Sequence, residues 1–417
     1  MIEGHNPTSL SDYEFENYAQ DIKGPMSIQA VVDNLEKRRK NSISGGVNCI
    51  PFPFQRFRSE VPGIEQGQYV IITANEKTGK SQCASYIYLY NVLEYAFCNP
   101  QKCSVHIVYF PFEESIQKII ERYMVFLLWH LDGIHMSPSD LRSTTPDYPV
   151  DKKVLDLLQT DKYKKRLEFF EQCVEFDTEN TNPTGILRKC EAYAKSVGKC
   201  NIRKIPSAND PNKIIDVFDS YEQDDPNHYK ILILDHVGLV DKEQGFKTKY
   251  AIDKVSEYMV KYLRNRYNYT CVVIQQQAAE VQGLEAIKMK KMVPSTGSLG
   301  DTKYTARDAN LVLGLFDPSK FGLPTWLSYK IQPPDGIGLQ NYARFLYVLA
   351  NRDGEMGGVC PLFFDGAVCD FVELPLPSSP EINRYYDEAK KRKEMKRKRK
   401  QLLLSIFDNN KNKKKNG

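Results

Sequence analysis

Short apolar runs alternate along the chain with longer amphipathic or polar stretches. Each run is short enough for a strand that is buried on both faces of a sheet. The runs cover residues 69–72, 105–110, 230–234, 270–274, 309–316 and 345–350. The segments between them predict helices at residues 81–97, 115–131, 212–221 and 250–267. This alternation predicts an α/β fold with a mainly parallel sheet flanked by helices.

The ends of the chain differ from this central pattern. Residues 1–25 are polar and predict an adaptable arm, and residues 26–40 predict a short helix with Ile28, Val32 and Leu35 on one face. This helix has no core of its own, so we expect it to dock on something else. The predicted organisation is an arm and linker helix (1–45), one large domain (46–378) and a basic, flexible tail (379–417).

The composition fits a globular protein of the cytoplasm. The chain has 417 residues, of which 41% are hydrophobic, and this is enough for a substantial core. Its longest apolar run is too short to cross a bilayer, and the N-terminus shows no signal-peptide pattern. The ten cysteines are scattered without a CxxC pair, which predicts reduced thiols rather than disulfides or zinc ligands.

Positive charge is concentrated at the C-terminus. Residues 381–417 hold 14 Lys or Arg and 5 Asp or Glu, a net charge of +9, whereas the whole chain carries +4. Residues 1–380 therefore carry a net charge of −5, so any nucleic-acid contact there must come from local loops. Electrostatic capture of DNA, docking of a partner protein and a solvated disordered tail remain open for the basic segment.

A polar loop joins the first apolar run to a predicted helix. It reads Ala74-Asn75-Glu76-Lys77-Thr78-Gly79-Lys80-Ser81 and is followed by Gln82. The order of strand, loop and helix is typical of a P-loop, in which backbone N–H groups and the helix N-terminus bind phosphate. Lys80 would contact the outer phosphates, and the Ser81 hydroxyl would join a Mg²⁺ shell. Ala74 stands where the bare motif has glycine, and a polar strand-to-helix turn is the alternative.

Polar side chains end four other predicted strands. Asp235 could hold the Mg²⁺ that bridges the phosphates, and Glu113 could polarise the attacking water. Gln276 could sense the γ-phosphate through a hydrogen bond, and Arg352 could serve as an arginine finger for a neighbouring subunit. Because ligands bind beyond the carboxyl ends of parallel strands, we expect all four at the P-loop edge of the sheet.

Each of these assignments has a structural alternative. Glu114 competes equally with Glu113 on chemistry alone. Asp235 could simply be an acid at a strand end, Gln276 an amide that caps a strand, and Arg352 a turn arginine in a surface salt bridge.

The succession of motifs resembles the C-terminal ATPase domain of DnaB-type replicative helicases, a branch of the RecA-like fold, over about residues 26–375. The P-loop of that family typically begins with Ala, as it does here. Other matching segments are the 26–40 helix, Gly46 to Pro51, Gly63 to Gly67, Pro111 to Glu114, Leu234 to Val237, Gln275 to Gln277, Gly297 to Thr302, Asp308 to Asn310, and Ala350 to Gly357.

The resemblance implies a RecA-like P-loop NTPase core preceded by a linker helix that docks on the adjacent subunit. It implies a six-membered ring with ATP and Mg²⁺ between subunits, Glu113 as catalytic base, Gln276 as sensor and Arg352 as finger. It also implies 5′→3′ movement on single-stranded DNA in the central channel, with a primase or helicase loader as further partner. The DNA-binding candidates are Lys242, Lys247, Lys249, Lys288, Lys290 and Lys291.

Two departures from the family keep alternatives open. Ala350 replaces the family's lysine two positions before the finger. About 25 residues precede the linker helix, which suits a compact viral or mobile-element helicase without the N-terminal domain of cellular members. We therefore expect a replicative DNA helicase in the cytoplasm (the host's, if viral). A RecA-like recombinase or loader without unwinding activity is the first alternative, and a non-catalytic scaffold is the second.

Overall fold

A nine-stranded sheet forms the centre of the protein. The computed structural model describes residues 28–145, 148–206, 212–243, 248–278, 292–300 and 302–415. The strands are β1 (Ile50–Pro51), β2 (Gly63–Ile64), β3 (Tyr69–Ala74), β4 (Ser104–Pro111), β5 (Val174–Phe176), β6 (Gly198–Pro206), β7 (Ile214–Gln223), β8 (His228–Asp235), β9 (Thr270–Gln276), β10 (Leu311–Phe316), β11 (Thr325–Trp326), β12 (Tyr329–Lys330), β13 (Ala343–Asn351), β14 (Val359–Asp365) and β15 (Asp370–Glu373).

The sheet has the order β15-β14-β13-β10-β3-β9-β8-β4-β5. Strands β10, β3, β9, β8, β4 and β5 are parallel to one another, whereas β13, β14 and β15 extend the sheet through antiparallel pairs. The predicted mainly parallel sheet is therefore confirmed, with an antiparallel edge added to it. The order also brings β3 between β10 and β9, at the middle of the sheet.

The central strands are buried on both faces because their apolar side chains alternate between two cores. In β3, Val70 and Ile72 pack into one cluster, while Tyr69 and Ile71 pack into a second cluster on the other face. A strand between two helical layers has no solvent-facing side, which explains why these runs are almost continuously apolar. A third cluster covers the antiparallel edge.

Helices cover both faces of the sheet. A π-helical turn (Tyr86–Tyr90) interrupts the predicted 81–97 helix, and another (Met259–Arg264) continues the helix that precedes β9. The α-helices are α1 (Ile28–Ile43), α2 (Lys80–Ser85), α3 (Asn91–Cys98), α4 (Ile116–Asp132), α5 (Pro138–Leu141), α6 (Lys152–Leu158), α7 (Asp161–Cys173), α8 (Pro183–Ser196), α9 (Thr248–Tyr258), α10 (Tyr304–Asp308) and α11 (Ile382–Lys415).

The helix predicted at residues 212–221 is wrong. This segment forms β7, which pairs antiparallel with β6 in a separate two-stranded ribbon. Ile215 lies opposite Ile205, and Phe218 lies opposite Ile202. Branched and aromatic side chains favour such cross-strand pairs, and the ribbon partner lies outside the local window from which the helix was predicted.

The basic C-terminal segment begins as part of the body. Ile382, Tyr386 and Ala389 of α11 are buried in the third core cluster, so the start of the predicted flexible tail is a packed helix. The apolar side chains of α1 lie in solvent by contrast, and Ile28 is 83% exposed. No helix in the described part of the chain is long and apolar enough to span a membrane.

Candidate nucleotide site

The P-loop connects the central strand β3 to helix α2. Gly79 precedes α2 with φ at +100°, a conformation that strains any residue with a Cβ. A Cβ on Gly79 would also lie 3.1 Å from the Phe364 ring. The backbone conformation and the nearby Phe364 ring therefore both favour glycine at this position, directly before the start of α2.

The P-loop has free polar groups that suit a phosphate ligand. Asn75 Oδ1 and Thr78 Oγ1 are buried and have no hydrogen-bond partner in the described structure. Buried polar atoms normally have partners, because leaving them unpaired costs roughly 1–3 kcal/mol each. The Lys80 side chain is buried beside them. The residues present therefore fit a bound nucleotide phosphate.

Asp235 lies directly beneath the start of α2. The Ser81 hydroxyl donates to Asp235 Oδ1 over 3.1 Å, and the Tyr109 hydroxyl donates to Oδ2 over 3.3 Å. Burial raises the pKa of the Asp235 carboxyl to about 6, an effect that the Ser81 hydrogen bond and nearby Lys80 oppose. A hydroxyl and a buried carboxylate at this spacing match the protein ligands of a Mg²⁺ bound to phosphates.

The structure separates the two adjacent acids that follow β4. Glu113 is exposed, and its Oε2 lies 3.7 Å from Lys80 Nζ. Glu114 instead forms a two-point ion pair with Arg122 of α4, with 2.6 Å between Arg122 Nη2 and Glu114 Oε1. Glu113 is thus free to face a ligand at the P-loop, whereas Glu114 holds the helix that follows.

Gln275 and Gln276 end β9, Gln277 follows directly, and the three side chains make different contacts. Gln275 Nε2 donates to the backbone oxygens of Gly300 and Thr302 over 2.6 and 2.9 Å. Gln277 donates to Thr73 Oγ1 over 2.8 Å. The Gln276 side chain has no hydrogen-bond partner within the described residues, and its backbone lies beside Ala74 at the start of the P-loop. Gln276 is therefore the glutamine left available to a ligand.

Arg352 does not lie at the P-loop edge, and that part of the expectation is wrong. Strand β13 runs antiparallel to β10, so Asn351 pairs with Leu311, which in turn pairs with Val70 at the beginning of β3. Arg352 consequently lies at the N-terminal ends of the parallel strands, opposite the end that carries the P-loop. It is exposed, and its guanidinium donates to the backbone oxygen of Arg307.

Two basic side chains that the sequence analysis missed contact the P-loop backbone. Arg344 is buried, and its Nε donates to the Thr78 oxygen over 2.7 Å. Asp317 pairs with Arg344 Nη1 at 3.1 Å, and Lys320 donates to the Glu76 oxygen. A charged residue directly before the apolar run at residues 345–350 was the available signal for Arg344, because an arginine is rarely buried without a specific partner.

The predicted DNA-binding lysines are only partly described. Lys242 and Lys249 are exposed, whereas Lys247, Lys288, Lys290 and Lys291 lie outside the described residues. Lys249 Nζ lies 5.5 Å from the centre of the exposed Tyr304 ring, and Arg307 lies 4.8 Å from the same ring. Tyr304 is therefore an exposed aromatic ring that contacts two cations, one of them the predicted DNA-binding residue Lys249. The sequence analysis did not single it out.

Comparison with known proteins supports the fold. No protein-family model matches the chain, and no curated protein matches it either. A solved ATPase domain is similar over 84% of this chain and 100% of its own length, with a TM-score of 0.56 and 13% identity. A DnaB-like replicative helicase, solved in a study of its interactions with primase, is similar over 85% of this chain and 68% of its own, with a TM-score of 0.57 and 13% identity.

At 13% identity these likenesses concern the fold, and they agree with the local geometry of the P-loop. The predicted RecA-like core and its resemblance to DnaB-type ATPase domains are confirmed at that level. The chain has the RecA-like fold of the ATPase domains of DnaB-like replicative helicases.

Proposed function

We propose that this protein is an ATP-dependent DNA helicase that acts as a hexameric ring. The observation that carries the proposal is the convergence of Lys80, Ser81, Glu113 and Asp235 at one sheet edge, with Arg352 exposed at the other. The first set forms the part of a P-loop site that one chain supplies. An arginine at the opposite edge is available to the same site in an adjacent copy.

Bound Mg²⁺ would neutralise phosphate charge during hydrolysis, held by Ser81 and Asp235. Lys80 then contacts the outer phosphates, and Glu113 accepts a proton from the attacking water. Gln276 reports the presence of the γ-phosphate to the segment after β9. Its neighbours Gln275 and Gln277 connect that strand end to Ser295, Thr302 and Thr305 through hydrogen bonds.

The linker helix supports assembly with other copies. Ile28, Val32 and Leu35 expose an apolar face, whereas Arg38 at the far end of α1 pairs with Glu65 of the same chain at 2.7 Å. A helix held at one end, with an apolar face left in solvent, suits docking on an adjacent subunit. We include this contact in the proposed ring.

Single-stranded DNA is the proposed polymer that the ring binds and moves along. Lys242 lies in the segment that leads from β8 to α9, and Lys249 lies in the first turn of α9. We propose that they and Lys247 contact phosphates together with Lys288, Lys290 and Lys291. Lysines suit sequence-independent contact with a DNA backbone. The Tyr304 ring beside Lys249 adds an aromatic surface of the kind on which bases stack.

The decisive measurement is unwinding of a forked duplex by the intact protein with ATP and Mg²⁺. We expect unwinding that requires a 5′ tail, DNA-stimulated ATP hydrolysis and six-membered rings in negative-stain images. Lys80→Ala should abolish hydrolysis and unwinding. Wild-type hydrolysis by Lys80→Ala would refute the P-loop assignment, and a filament in place of a ring would refute the helicase.

A RecA-like ATPase without unwinding activity is the second candidate. Ala350 favours it, because the side chain at this position is a methyl group packed against the second core cluster and cannot contact a neighbour's phosphate. DNA-stimulated hydrolysis without strand separation on any forked substrate would select this candidate.

A further inference from the structure

Helix α11 presents a dense set of cations to solvent. Residues 390–398 include six exposed basic side chains, and Glu394 is the exposed acid among them. None of the six forms an ion pair within the described part of the chain. They are Lys390, Lys391, Lys393, Lys396, Arg397 and Lys398.

The body of the protein fixes the position of this helix. Arg392 is buried, forms an ion pair with Asp365, and bonds Glu388 Oε1 over 2.7 Å. Its guanidinium also lies 5.2 Å from the Phe363 ring centre and 5.4 Å from that of Trp129. These contacts set the rotation of α11 about its axis, so the outward direction of the cations is defined.

The anchor lies at the nucleotide edge of the sheet. Asp365 ends β14, which runs in the same direction as β3, and the next residue, Gly366, accepts a hydrogen bond from Gln82 of α2 over 3.4 Å. Helix α11 therefore leaves the body beside the P-loop helix. The cations are held near the proposed nucleotide site rather than on a loose terminus.

Helical geometry places four of the cations together. At 100° per residue, Lys390, Lys391, Arg397 and Lys398 fall on the side of the helix away from the buried Arg392. Positions seven residues apart lie about 10.5 Å apart along the axis. Between residues 382 and 398, the arc that these side chains define contains the acidic Asp387 and Glu394 but no apolar side chain, which excludes an amphipathic, membrane-inserting face there.

We propose that this cationic face of α11 binds the phosphate backbone of nucleic acid, at a site separate from the channel loops. Lys390 and Lys391 lie two helical turns from Arg397 and Lys398, with Glu394 on the turn between them. The four cations still exceed the acid in number, and a polyanion would neutralise the excess positive charge. The first 380 residues carry a net charge of −5, so this face is a local concentration of positive charge beside a body of net negative charge. The inference rests on the proposed function only in naming DNA as the nucleic acid.

The test removes the four outward charges from the full-length protein. A quadruple variant, Lys390→Gln, Lys391→Gln, Arg397→Gln and Lys398→Gln, is titrated against labelled single-stranded and duplex oligonucleotides of one sequence. If each side chain neutralises one phosphate, the slope of log K against log salt concentration should fall by about 3. Between 50 and 200 mM salt, that change alters the ratio of wild-type to variant affinity by roughly 60-fold.

A matched control removes the same number of positive charges from exposed side chains elsewhere. Lys152→Gln, Lys153→Gln, Lys164→Gln and Lys165→Gln lie on α6 and α7, and this variant should keep the wild-type slope. Equal slopes in wild type and the α11 variant, on both oligonucleotides, would overturn the proposal, as would an equal loss in the control. A reduced slope on either oligonucleotide supports it and identifies the form bound.

The proposed function is judged separately. ATP hydrolysis without DNA should be unchanged in the α11 variant, because none of the four substituted residues contacts the P-loop. Lys80→Ala should instead lose hydrolysis and keep the salt-dependent contact made by α11. An error in the proposed ATPase would therefore appear in the hydrolysis measurements, whereas an error in the proposed binding face would appear in the salt dependence of nucleic-acid binding.

Discussion

The two ends of the parallel strands carry the two sets of residues that we propose to form one ATP site between adjacent copies. At the carboxyl edge, Ser81 bonds Asp235 and Lys80 lies 3.7 Å from Glu113, all within one chain. At the opposite edge, exposed Arg352 bonds the backbone of Arg307. Six residues of β3 separate the edges by about 20 Å. An arginine cannot cross that distance within its own chain, so the comparison teaches that a finger role for Arg352 requires a second copy.

The largest expected effect comes from the exposed edge. Arg352→Ala should reduce ATP hydrolysis by roughly 10³-fold and leave nucleotide affinity near that of the wild type, because the arginine acts only on the neighbour's transition state. Steady-state hydrolysis and equilibrium binding of a fluorescent nucleotide measure the two effects. A comparable loss of binding would contradict the finger role.

Mixing experiments sharpen this prediction. Rings assembled from Arg352→Ala and Glu113→Gln chains contain some interfaces in which both residues are intact, so mixing two inactive proteins should restore hydrolysis. Lys80→Ala mixed with Glu113→Gln is the matched control, since both residues belong to the same half-site. Hydrolysis restored in the control, or no hydrolysis restored in the first mixture, would contradict the proposal that Glu113 and Arg352 come from different chains of one site.

The second effect tests the carboxyl edge by itself. Glu113→Gln should lower hydrolysis by about 10²–10³-fold with nucleotide still bound, because it removes the proposed general base. Glu114→Gln should mainly reduce stability, by about 1–3 kcal/mol, since it leaves the Arg122 guanidinium without its carboxylate. Single-turnover hydrolysis and denaturant titration should therefore rank the two variants in opposite orders.

Arg344 tests how the P-loop backbone is supported. Arg344→Met should cost about 3–5 kcal/mol, because Asp317 is left buried and unpaired, and it should weaken nucleotide binding by freeing the Thr78 carbonyl. Adding Asp317→Asn should recover stability and leave nucleotide affinity low. Recovery of both by the double variant would show that Arg344 stabilises the fold without positioning the P-loop.

The last expected effect is on stability alone, and it comes from a buried lysine near the start of β8. Burial lowers the pKa of Lys230 to about 7, and no acid pairs with it within the described residues. The unfolded chain therefore binds more protons between pH 7 and 10.5, and stability from this group rises with pH across that window. Lys230→Met should gain most over the wild type at or below pH 7, and this gain should shrink as the pH rises through the window.

Urea titrations from pH 6 to 10 measure this gain. Exposed Lys199→Met on β6 is the control, and its difference from the wild type should not depend on pH. Parallel stability profiles for Lys230→Met and the wild type would show that this lysine is not forced to bury a charge. At the other end of β8, burial raises the pKa of the Asp235 carboxyl to about 6, so burial disfavours the charged form near both ends of this strand.

Short-range sequence patterns were enough to predict the central strands and the P-loop of this protein. The apolar runs identified the central strands, and the Lys80-Ser81 loop identified the nucleotide edge, because buried parallel strands and P-loops depend on residues close in sequence. The resemblance of short motifs also selected Glu113 over Glu114. In the structure Glu113 lies beside Lys80, whereas Glu114 pairs with Arg122.

Tertiary structure decided the rest. The reversal of β13 moved Arg352 to the far edge, the ribbon partner β6 made residues 214–223 a strand, and packing against Asp365 and the third core turned the start of the basic tail into a fixed helix. Strand direction, strand pairing and helix docking all depend on contacts between residues far apart in sequence. Local periodicity carries no information about those contacts, since the same pattern of side chains fits either direction of a strand.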